Sequence, residues 1–321
     1  MLRARFALFA LALAALLPAA RTSAQPAPAK AHTGLVHAVA LSPDGKTLAT
    51  AGFDNLAKLW DVAADGALKE RKALTGHTGP VYGVAFHPTD PKIVATASQD
   101  KTARVWDATD GKMKLELKGH TDIVSAIAFA PDGKVLATGG ADKAVKLWNP
   151  ADGKELKALG THDGGIYAVA FSPDGKVLAT AGAGKDNIIK LWDVTAQKEL
   201  KQIKGHEGPV TGVVFADKDT LVTASMDRTV RVWTVADGKE KKKLGPTTDD
   251  PYGLSWSATA KTAAVCGYSG KVTFWALDSE KPKHTAEVKN PGYCVALTAD
   301  GKRAFTGHDN GTVAVSPSAG K

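Results

Sequence analysis

Two stretches of the chain carry a histidine, a serine, an aspartate and a tryptophan at closely matched spacing. The first set is His77, Ser98, Asp100 and Trp106, and the second is His206, Ser225, Asp227 and Trp233. A histidine that activates a serine while an aspartate orients it is the arrangement of nucleophilic hydrolysis. A catalytic site occurs once in a chain, however, whereas this set occurs twice. The recurrence favours a structural role over catalysis, and we predict no catalytic residue.

The other histidines and the cysteines show no spacing typical of a metal or cofactor site. Five of the nine histidines recur at a fixed place in the sequence pattern: His32, His77, His120, His162 and His206. They are too dispersed to bind one ion together. Cys266 and Cys294 form neither CxxC nor CxxCH, and each stands where matching stretches have Ala or Gly. That placement is typical of a buried cysteine that serves as a small apolar side chain. We predict neither a metal nor a cofactor.

Repeats of slightly more than 40 residues position all of these side chains. Tryptophans stand at 60, 106, 148, 192, 233 and 275, at spacings of 46, 42, 44, 41 and 42, and Val315 completes a seventh repeat. A typical repeat holds a GH or TH pair, an apolar strand, a turn such as SPDGK, and two further strands. The third strand ends in WD or a substitute, and a DGK turn leads to a fourth. Pro, Asp and Gly suit tight turns. Four short strands per repeat predict an all-β fold.

The GH and WD signatures at this period resemble those of the WD-repeat β-propellers. WD itself stands at 60–61, 106–107 and 192–193, and the seventh repeat has Val315-Ser316 in its place. The resemblance covers residues 25–321 and implies a seven-bladed propeller with four-stranded antiparallel blades. It also implies that the His, Ser, Asp and Trp sets are hydrogen-bonded tetrads, which tie the second and third strands to the loop before the first. The fold does not fix the function.

The resemblance further implies how the ring closes. In these propellers the outer strand of a blade precedes the next histidine in sequence, and the seventh repeat stops at SPSAGK, before such a strand. Residues 25–31, QPAPAKA, are therefore expected to supply it. Pro26 and Pro28 share one parity, so both positions without an N–H can face solvent on an edge strand. We expect the ring to be closed by this N-terminal strand.

Residues 1–24 have the order of a secretory signal peptide. Two arginines precede an apolar run at residues 6–17, and small residues precede a cleavage point near Ala24. The run is shorter than the about 20 apolar residues that span a membrane. We expect export to the periplasm or the cell exterior and no membrane span after cleavage. Cleavage removes three arginines and no acid, which lowers the formal net charge from +8 to +5.

Lysines crowd the predicted fourth strands, as in KERK at 69, KEKKK at 239 and KPK at 281. A nucleic-acid or membrane surface is one interpretation of such clusters. No aromatic side chains alternate with these lysines as a stacking platform requires, and lysine on an edge strand opposes aggregation. We therefore predict no nucleic-acid partner.

Two positions of the repeat vary in residue type while their neighbours hold. The first rim position, early in the first strand, is His37, Tyr82, Ser125, Tyr167, Thr211, Tyr252 and Tyr293. The second rim position, before the aspartate of the second turn or its substitute, is Phe53, Gln99, Ala141, Lys185, Met226, Tyr268 and His308. All five tyrosines of the chain fall in these two positions. Both positions of this chain resemble loop-facing sites of WD-repeat propellers, on the face of the ring that usually contacts partners.

The tyrosines favour a recognition surface, because tyrosine is a typical interface residue. We predict a partner-binding rim formed by His37, Phe53, Tyr82, Tyr167, Met226, Tyr252, Tyr268, Tyr293 and His308. The sequence thus predicts an exported, monomeric, non-catalytic module that binds or scaffolds a protein or peptide. Three alternatives stay open at this point. The tyrosines could cap strand ends, or the channel mouth could hold an enzyme site or a site that senses a small molecule or cell-wall component.

Overall fold

The computed structural model describes residues 25–184 and 187–319. Its strands form seven four-stranded antiparallel sheets, and these ranges contain no helix and hence none that could cross a membrane. The predicted all-β, seven-bladed propeller is confirmed. The predicted signal peptide, residues 1–24, lies outside the described residues.

The strands are numbered along the chain, and β1 (Ala29–Lys30) comes first. Blade one contains β2 (Val36–Leu41), β3 (Thr47–Gly52), β4 (Ala57–Val62) and β5 (Leu68–Leu74). Blade two contains β6 (Val81–Phe86), β7 (Ile93–Ser98), β8 (Thr102–Asp107) and β9 (Met113–Lys118). Blade three contains β10 (Val124–Phe129), β11 (Leu136–Gly140), β12 (Ala144–Trp148) and β13 (Glu155–Thr161).

Blade four contains β14 (Ile166–Phe171), β15 (Val177–Gly182), β16 (Ile189–Asp193) and β17 (Lys198–Ile203). Blade five contains β18 (Val210–Asp217), β19 (Thr220–Ser225), β20 (Thr229–Thr234) and β21 (Glu240–Pro246). Blade six contains β22 (Pro251–Ser257), β23 (Thr262–Gly267), β24 (Lys271–Ala276) and β25 (His284–Glu287). Blade seven contains β26 (Gly292–Leu297), β27 (Arg303–His308), β28 (Thr312–Pro317) and β1.

The apolar core lies between the blades. The first strand of each blade contacts the first strands of both neighbours and lines the central channel. Seven clusters of buried apolar residues each join two adjacent blades. Six of them contain a third-strand tryptophan: Trp60, Trp106, Trp148, Trp192, Trp233 and Trp275. The cluster between blades six and seven has Phe274 as its largest side chain. Blade stacking thus buries the faces that a single blade would expose.

The predicted PDGK turns join first and second strands and are held by their own side chains. Ser42 Oγ donates to Asp44 Oδ1 over 2.6 Å, and the Lys46 N–H donates to the same oxygen over 3.1 Å. These bonds, that from Ser42 above all, lower the pKa of Asp44. Gly45 has φ of +68°, a left-handed conformation that glycine adopts without strain.

The N-terminal strand closes the ring, as predicted. β1 forms the outer strand of blade seven by pairing antiparallel with β28 through Ala29 and Lys30. The Ala31 N–H donates to the Gly311 carbonyl over 2.8 Å, and Ala31 is buried. We call residues 29–31 the clasp. The paired strand is shorter than the predicted segment of seven residues.

Blade seven aligns one residue later than the sequence pattern indicated. Ala304 in β27 lies opposite Ser316, as Leu48 lies opposite Trp60 in blade one. Ser316-Pro317 therefore takes the place of WD, and the assignment of that place to Val315-Ser316 was wrong. The strand register is set by backbone pairing, and the seventh repeat has no tryptophan to reveal it.

Candidate functional site

The predicted tetrads are hydrogen-bonded networks, and they join strands as expected. In blade two, His77 Nδ1 lies 2.7 Å from Asp100, and His77 Nε2 lies 2.7 Å from Thr96 Oγ1. Trp106 Nε1 donates to the same threonine oxygen over 2.8 Å. The corresponding residues of blade five are His206, Asp227, Thr223 and Trp233, at 2.7, 2.7 and 2.8 Å.

The hydroxyl of the network is a threonine, and the assignment of that place to Ser98 was wrong. Ser98 Oγ instead donates to the Pro80 carbonyl over 3.0 Å and accepts the Asp100 N–H over 3.1 Å. Thr96 and Ser98 face the same side of β7 because side chains alternate along a strand, so parity does not separate them. In blade five the corresponding residues are Thr223 and Ser225.

The networks are sealed and are not hydrolase sites. Thr96 and Ser98 are fully buried, so neither hydroxyl can meet a substrate. Burial opposes ionisation of Asp100, but bonds from His77 and Thr102 outweigh it and hold the pKa of the carboxyl well below its usual range. A charged aspartate and a shared threonine thus provide hydrogen-bond partners for the buried nitrogens of the histidine and the tryptophan.

Blades six and seven lack this network. Val265 takes the threonine place in blade six, and the buried Trp275 Nε1 has no hydrogen-bond partner within the described ranges. In blade seven Thr306 keeps its place, but it bonds His308 of its own strand, with 3.0 Å between Oγ1 and Nε2. In each of the other five blades a histidine and a third-strand tryptophan share one threonine oxygen, so blades six and seven are held together differently.

His308 is not part of a solvent-facing rim, and its assignment to the rim was wrong. It is fully buried, at 0% exposure, and its Nδ1 lies 3.1 Å from the carbonyls of Asn290 and Pro291. Gly292 lies opposite His308 in the sheet, as Val36 lies opposite Gly52. The register shift of blade seven therefore moves the second rim position to the exposed Asp309.

Each residue at the first rim position is the extra residue of a β-bulge. The pairing of first and second strands skips His37 in blade one, between Val36 and Ala38. It skips the equivalent residue in every other blade: Tyr82, Ser125, Tyr167, Thr211, Tyr252 and Tyr293. A bulge releases one residue from the ladder and redirects its side chain. The residue type at the bulge is therefore free to vary, whereas the flanking residues, which pair and pack, stay apolar or small.

The seven bulge residues converge on one apolar cavity at the mouth of the central channel. The cavity has a volume of about 300 Å³. Its lining consists of the bulge residues together with Leu35, Phe53 and Met226. We call this cavity the cup. A narrower space of about 240 Å³ lies beside it and is lined by the first strands.

Polar residues and tyrosines alternate around the cup. The polar bulge residues stand in blades one, three and five, and each donates to a carbonyl of the next blade. His37 Nδ1–H donates to the Tyr82 carbonyl, and Thr211 Oγ1 donates to that of Pro251, both over 2.7 Å. Ser125 Oγ bonds the Ile166 carbonyl in the same way. Tyrosines occupy blades two, four and six.

Seven is an odd number, so the alternation must break once around the ring. It breaks between blades six and seven, where Tyr252 and Tyr293 are neighbours. Their rings stack with centroids 5.0 Å apart and planes inclined by 19°. At blades one and two, the Phe53 ring lies 5.6 Å from the His37 ring and 5.0 Å from the Tyr82 ring, centroid to centroid.

The structure brings seven of the nine predicted rim residues together in the cup lining. Tyr167 and Phe53 are 47% and 37% exposed, and the side chains of Tyr82, Tyr252 and Tyr293 are half-buried. His37 and Met226 complete these seven. Tyr268 lies outside the lining, in the loop after β23, and is 63% exposed. The partner-binding role of the rim stays a prediction.

Ionisable chemistry in the cup is sparse. Its lining includes no carboxylate, and burial lowers the pKa of His37 despite the bond to Tyr82. Burial raises the pKa of the tyrosines 82, 252 and 293. The described ranges hold no group of three His, Cys, Asp or Glu side chains arranged to bind a metal ion.

Both cysteines are buried free thiols, as expected of small apolar side chains. Burial raises the pKa of the Cys294 thiol to about 12 and that of Cys266 well above its usual value. A Cβ added at Gly253 would lie 2.8 Å from Cys266 Sγ, so the two positions pack tightly against each other. Neither thiol is ionised at neutral pH, so neither serves as a nucleophile.

The architecture and the buried His, Asp, Thr and Trp networks define a seven-bladed propeller of repeated, internally tied blades. The family model of the WD domain, G-beta repeat, matches residues 27–61, 68–107, 111–149, 153–193 and 197–234. The chain therefore belongs to the WD-repeat family. The matched repeats end before blade six, where the networks also end.

Curated relatives match short parts of the chain. Coronin-7 of Bos taurus is 38% identical over 95 residues, which are 28% of this chain and 10% of that protein. Nuclear distribution protein PAC1 of Komagataella phaffii is 34% identical over 80 residues, 25% of this chain and 16% of that protein. THO complex subunit 3 of Arabidopsis thaliana is 32% identical over 105 residues, 32% of each chain. WD-repeat propellers typically act as protein-interaction scaffolds.

Proposed function

We propose that this protein is a non-catalytic interaction module whose cup binds apolar side chains of a protein or peptide partner. One observation carries the proposal: all seven blades direct a bulge residue into a single apolar cavity that opens at the channel mouth. A bulge weakens strand pairing, so its repetition in every blade is best explained by the surface that it builds. Tyrosine and methionine are residues that interfaces favour.

The chemistry of the cup supports binding over catalysis. General acid–base catalysis needs a titratable group placed to exchange a proton with substrate. His37 is the one histidine of the lining, its Nδ1–H is held by the Tyr82 carbonyl, and its lowered pKa keeps the ring neutral. The tyrosines, with raised pKa values, stay protonated and present aromatic faces and hydroxyl groups.

The shape of the cup supports a protein or peptide partner. A volume of about 300 Å³ is at the small end for a drug-sized ligand and suits a few apolar side chains inserted from above. The exposed ring of Tyr167 extends this apolar surface beyond the cavity itself. A partner that covers the channel mouth would therefore contact several blades at once.

We further propose that the protein is exported and acts as a monomer. The order of arginines, apolar run and small residues in 1–24 supports export. The closed ring of seven blades, with strand pairing completed by its own N-terminal segment, supports a self-contained protomer.

Peptide selection with matched variants tests the role of the cup. Peptides selected from a random phage-displayed library against the wild-type protein are measured against Tyr167→Ala, with Leu200→Ala as the control. Both side chains are 47% exposed, but Leu200 lies on the outer strand β17, away from the cup. We expect Tyr167→Ala to weaken binding by about 1–3 kcal/mol, the effect of losing an aromatic anchor. Leu200→Ala should leave it unchanged.

Tyr252→Ala provides a second test two blades further around the cup, with thermal unfolding measured in parallel. The proposal is wrong if selected peptides bind the Tyr167 and Tyr252 variants as tightly as the wild type. It is also wrong if the Tyr252 variant loses only stability while its folded fraction binds normally, because the tyrosine would then be structural.

A further inference from the structure

The break in the alternation leaves a distinctive surface between blades six and seven. Tyr252 and Tyr293 stack there, and Tyr268 stands beside them at the second rim position of blade six. We call these three residues the tyrosine arc. The other blade interfaces have at most one tyrosine at the first rim position.

Carboxylates border the tyrosine arc. Asp250 directly precedes β22, and Asp309 takes the second rim position of blade seven. After burial, the charge of Asp250 contributes to the raised pKa of Tyr252. Burial, Tyr252 and then Asp309 raise the pKa of Tyr293. Strand pairing places Asp309 beside this ring, because Asp309 follows His308, which lies opposite Gly292, the residue before Tyr293.

The two carboxylates differ in their existing partners. Asp250 accepts a bond from Arg228 Nε over 3.0 Å, in a solvent-exposed ion pair. Asp309 is exposed, and within the described ranges its carboxylate accepts a hydrogen bond only from the Asn310 N–H, over 2.8 Å. Of these two carboxylates, Asp309 is therefore the one available to an incoming cation. A third carboxylate near Tyr252, that of Asp249, accepts the Ser269 N–H.

Aromatic faces beside a carboxylate are the chemistry that binds organic cations. The ring quadrupole attracts a cation placed over its face, and the carboxylate adds a direct charge pair. The chain as a whole carries a formal net charge of +8, so attraction of a cation at this arc would be local rather than a property of the whole surface.

We propose that the tyrosine arc and Asp309 bind a cationic side chain, lysine or arginine, of the protein segment whose apolar side chains occupy the cup. This inference rests on the proposed function of the cup. The apolar lining of the cup and the tyrosine arc adjoin at Tyr252 and Tyr293, which belong to both. The partner segment is therefore expected to place a basic residue next to apolar ones.

A pair of synthetic peptides tests the charge requirement. The probe is a capped, fluorescent Arg-Leu-Arg-Leu-Arg peptide, and its neutral counterpart has citrulline in place of arginine. Binding to the full chain is measured by fluorescence anisotropy at moderate salt. We expect the arginine peptide to bind about tenfold more tightly than the citrulline peptide, the size of a cation–π contact with a charge pair.

Variants locate the effect. Asp309→Asn should weaken binding of the arginine peptide by roughly three- to tenfold and leave that of the citrulline peptide unchanged. Tyr293→Leu should weaken binding of the arginine peptide more than that of the citrulline peptide, because only the former places a cation against the ring. Asp152→Asn is the matched control, because it removes an exposed carboxylate from a DGK turn between a third and a fourth strand. It should change neither affinity. Asp309 is exposed, so its variant tests the proposal even if Tyr293→Leu destabilises the fold.

Three results with the synthetic peptides would overturn the inference. They are equal affinity for the two peptides or no measurable binding of either, an equal loss in the Asp152 and Asp309 variants, and no loss in the Asp309 variant. Peptides selected on the wild-type protein that depend on Tyr167 but carry no basic residue would overturn it as well. In that last case the proposed function of the cup would stand, so the two failures are distinguishable.

Discussion

Replacing Thr96 by valine should destabilise the propeller strongly although the two side chains have nearly the same shape. Thr96 Oγ1 accepts the Trp106 Nε1–H over 2.8 Å and lies 2.7 Å from His77 Nε2. Valine keeps the packing but removes both bonds. The indole N–H and the imidazole nitrogen are then left buried without partners.

The magnitude follows from those two groups. An unpaired buried polar group costs about 1–3 kcal/mol, and the extra buried methyl of valine returns about 0.8 kcal/mol. For the two groups together we therefore expect the free energy of unfolding to fall by about 1–5 kcal/mol. Equilibrium unfolding in guanidinium chloride, followed by tryptophan fluorescence, measures this as a lower midpoint with an unchanged slope.

Blade six supplies the reverse experiment. Val265 takes the threonine place there, and Trp275 Nε1 has no hydrogen-bond partner among the residues that the structure describes. Val265→Thr gives that N–H an acceptor and should raise the free energy of unfolding by up to about 1 kcal/mol, the value of one hydrogen bond. A Thr96→Val variant within about 0.5 kcal/mol of the wild type would refute the reasoning, because ordinary surface substitutions have effects of that size.

Three further predictions concern the clasp, pH and export. Deleting residues 25–31 should lower the free energy of unfolding by about 1–3 kcal/mol, because β28 loses its outer neighbour β1. An unchanged thermal midpoint would show that the clasp does not stabilise the ring. Burial, followed by the charge of Lys190, lowers the pKa of His162 from 6.5 to about 4. The unfolded chain therefore binds the proton more readily, and stability should fall as the pH falls from about 6.5 to about 4. The free energy of unfolding of the wild type should therefore fall with pH more steeply over this range than that of His162→Gln. Parallel stability profiles of the two proteins would contradict the prediction. N-terminal sequencing of the protein from the periplasm or medium should begin near Gln25, whereas intact Met1 on cytoplasmic protein would refute export.

The fold could be predicted because its landmarks recur. Tryptophans at nearly constant spacing mark six blades, GH or TH pairs precede four of them, and the turn residues in between define the strands. The alignment failed where the landmarks stop. Without a tryptophan in the seventh repeat, backbone pairing alone determines that His308 lies inside and Asp309 outside.

The sequence predicted where most residues of the candidate site lie, but not the β-bulges that direct their side chains into the cup. Variation of residue type within a constant frame identified the bulge positions, yet no residue type marks a bulge, so the bulges themselves could not be found. The choice between Thr96 and Ser98 failed for a related reason. Strand periodicity shows which side a residue faces, but depth within the sheet depends on the third strand and the loop above it.

The clasp also bears on the order in which the molecule can form. Blades one to six each use four strands that follow one another in the chain, so each can assemble from neighbouring segments. Blade seven joins segments far apart: Lys30 and Asn310, which bond across the closure, are separated by 280 residues. The entropic cost of closing so long a loop grows only logarithmically with its length, but contacts between distant segments slow folding. Ring closure therefore waits for the last strands to be synthesised, and the N-terminal segment must stay unpaired until they arrive.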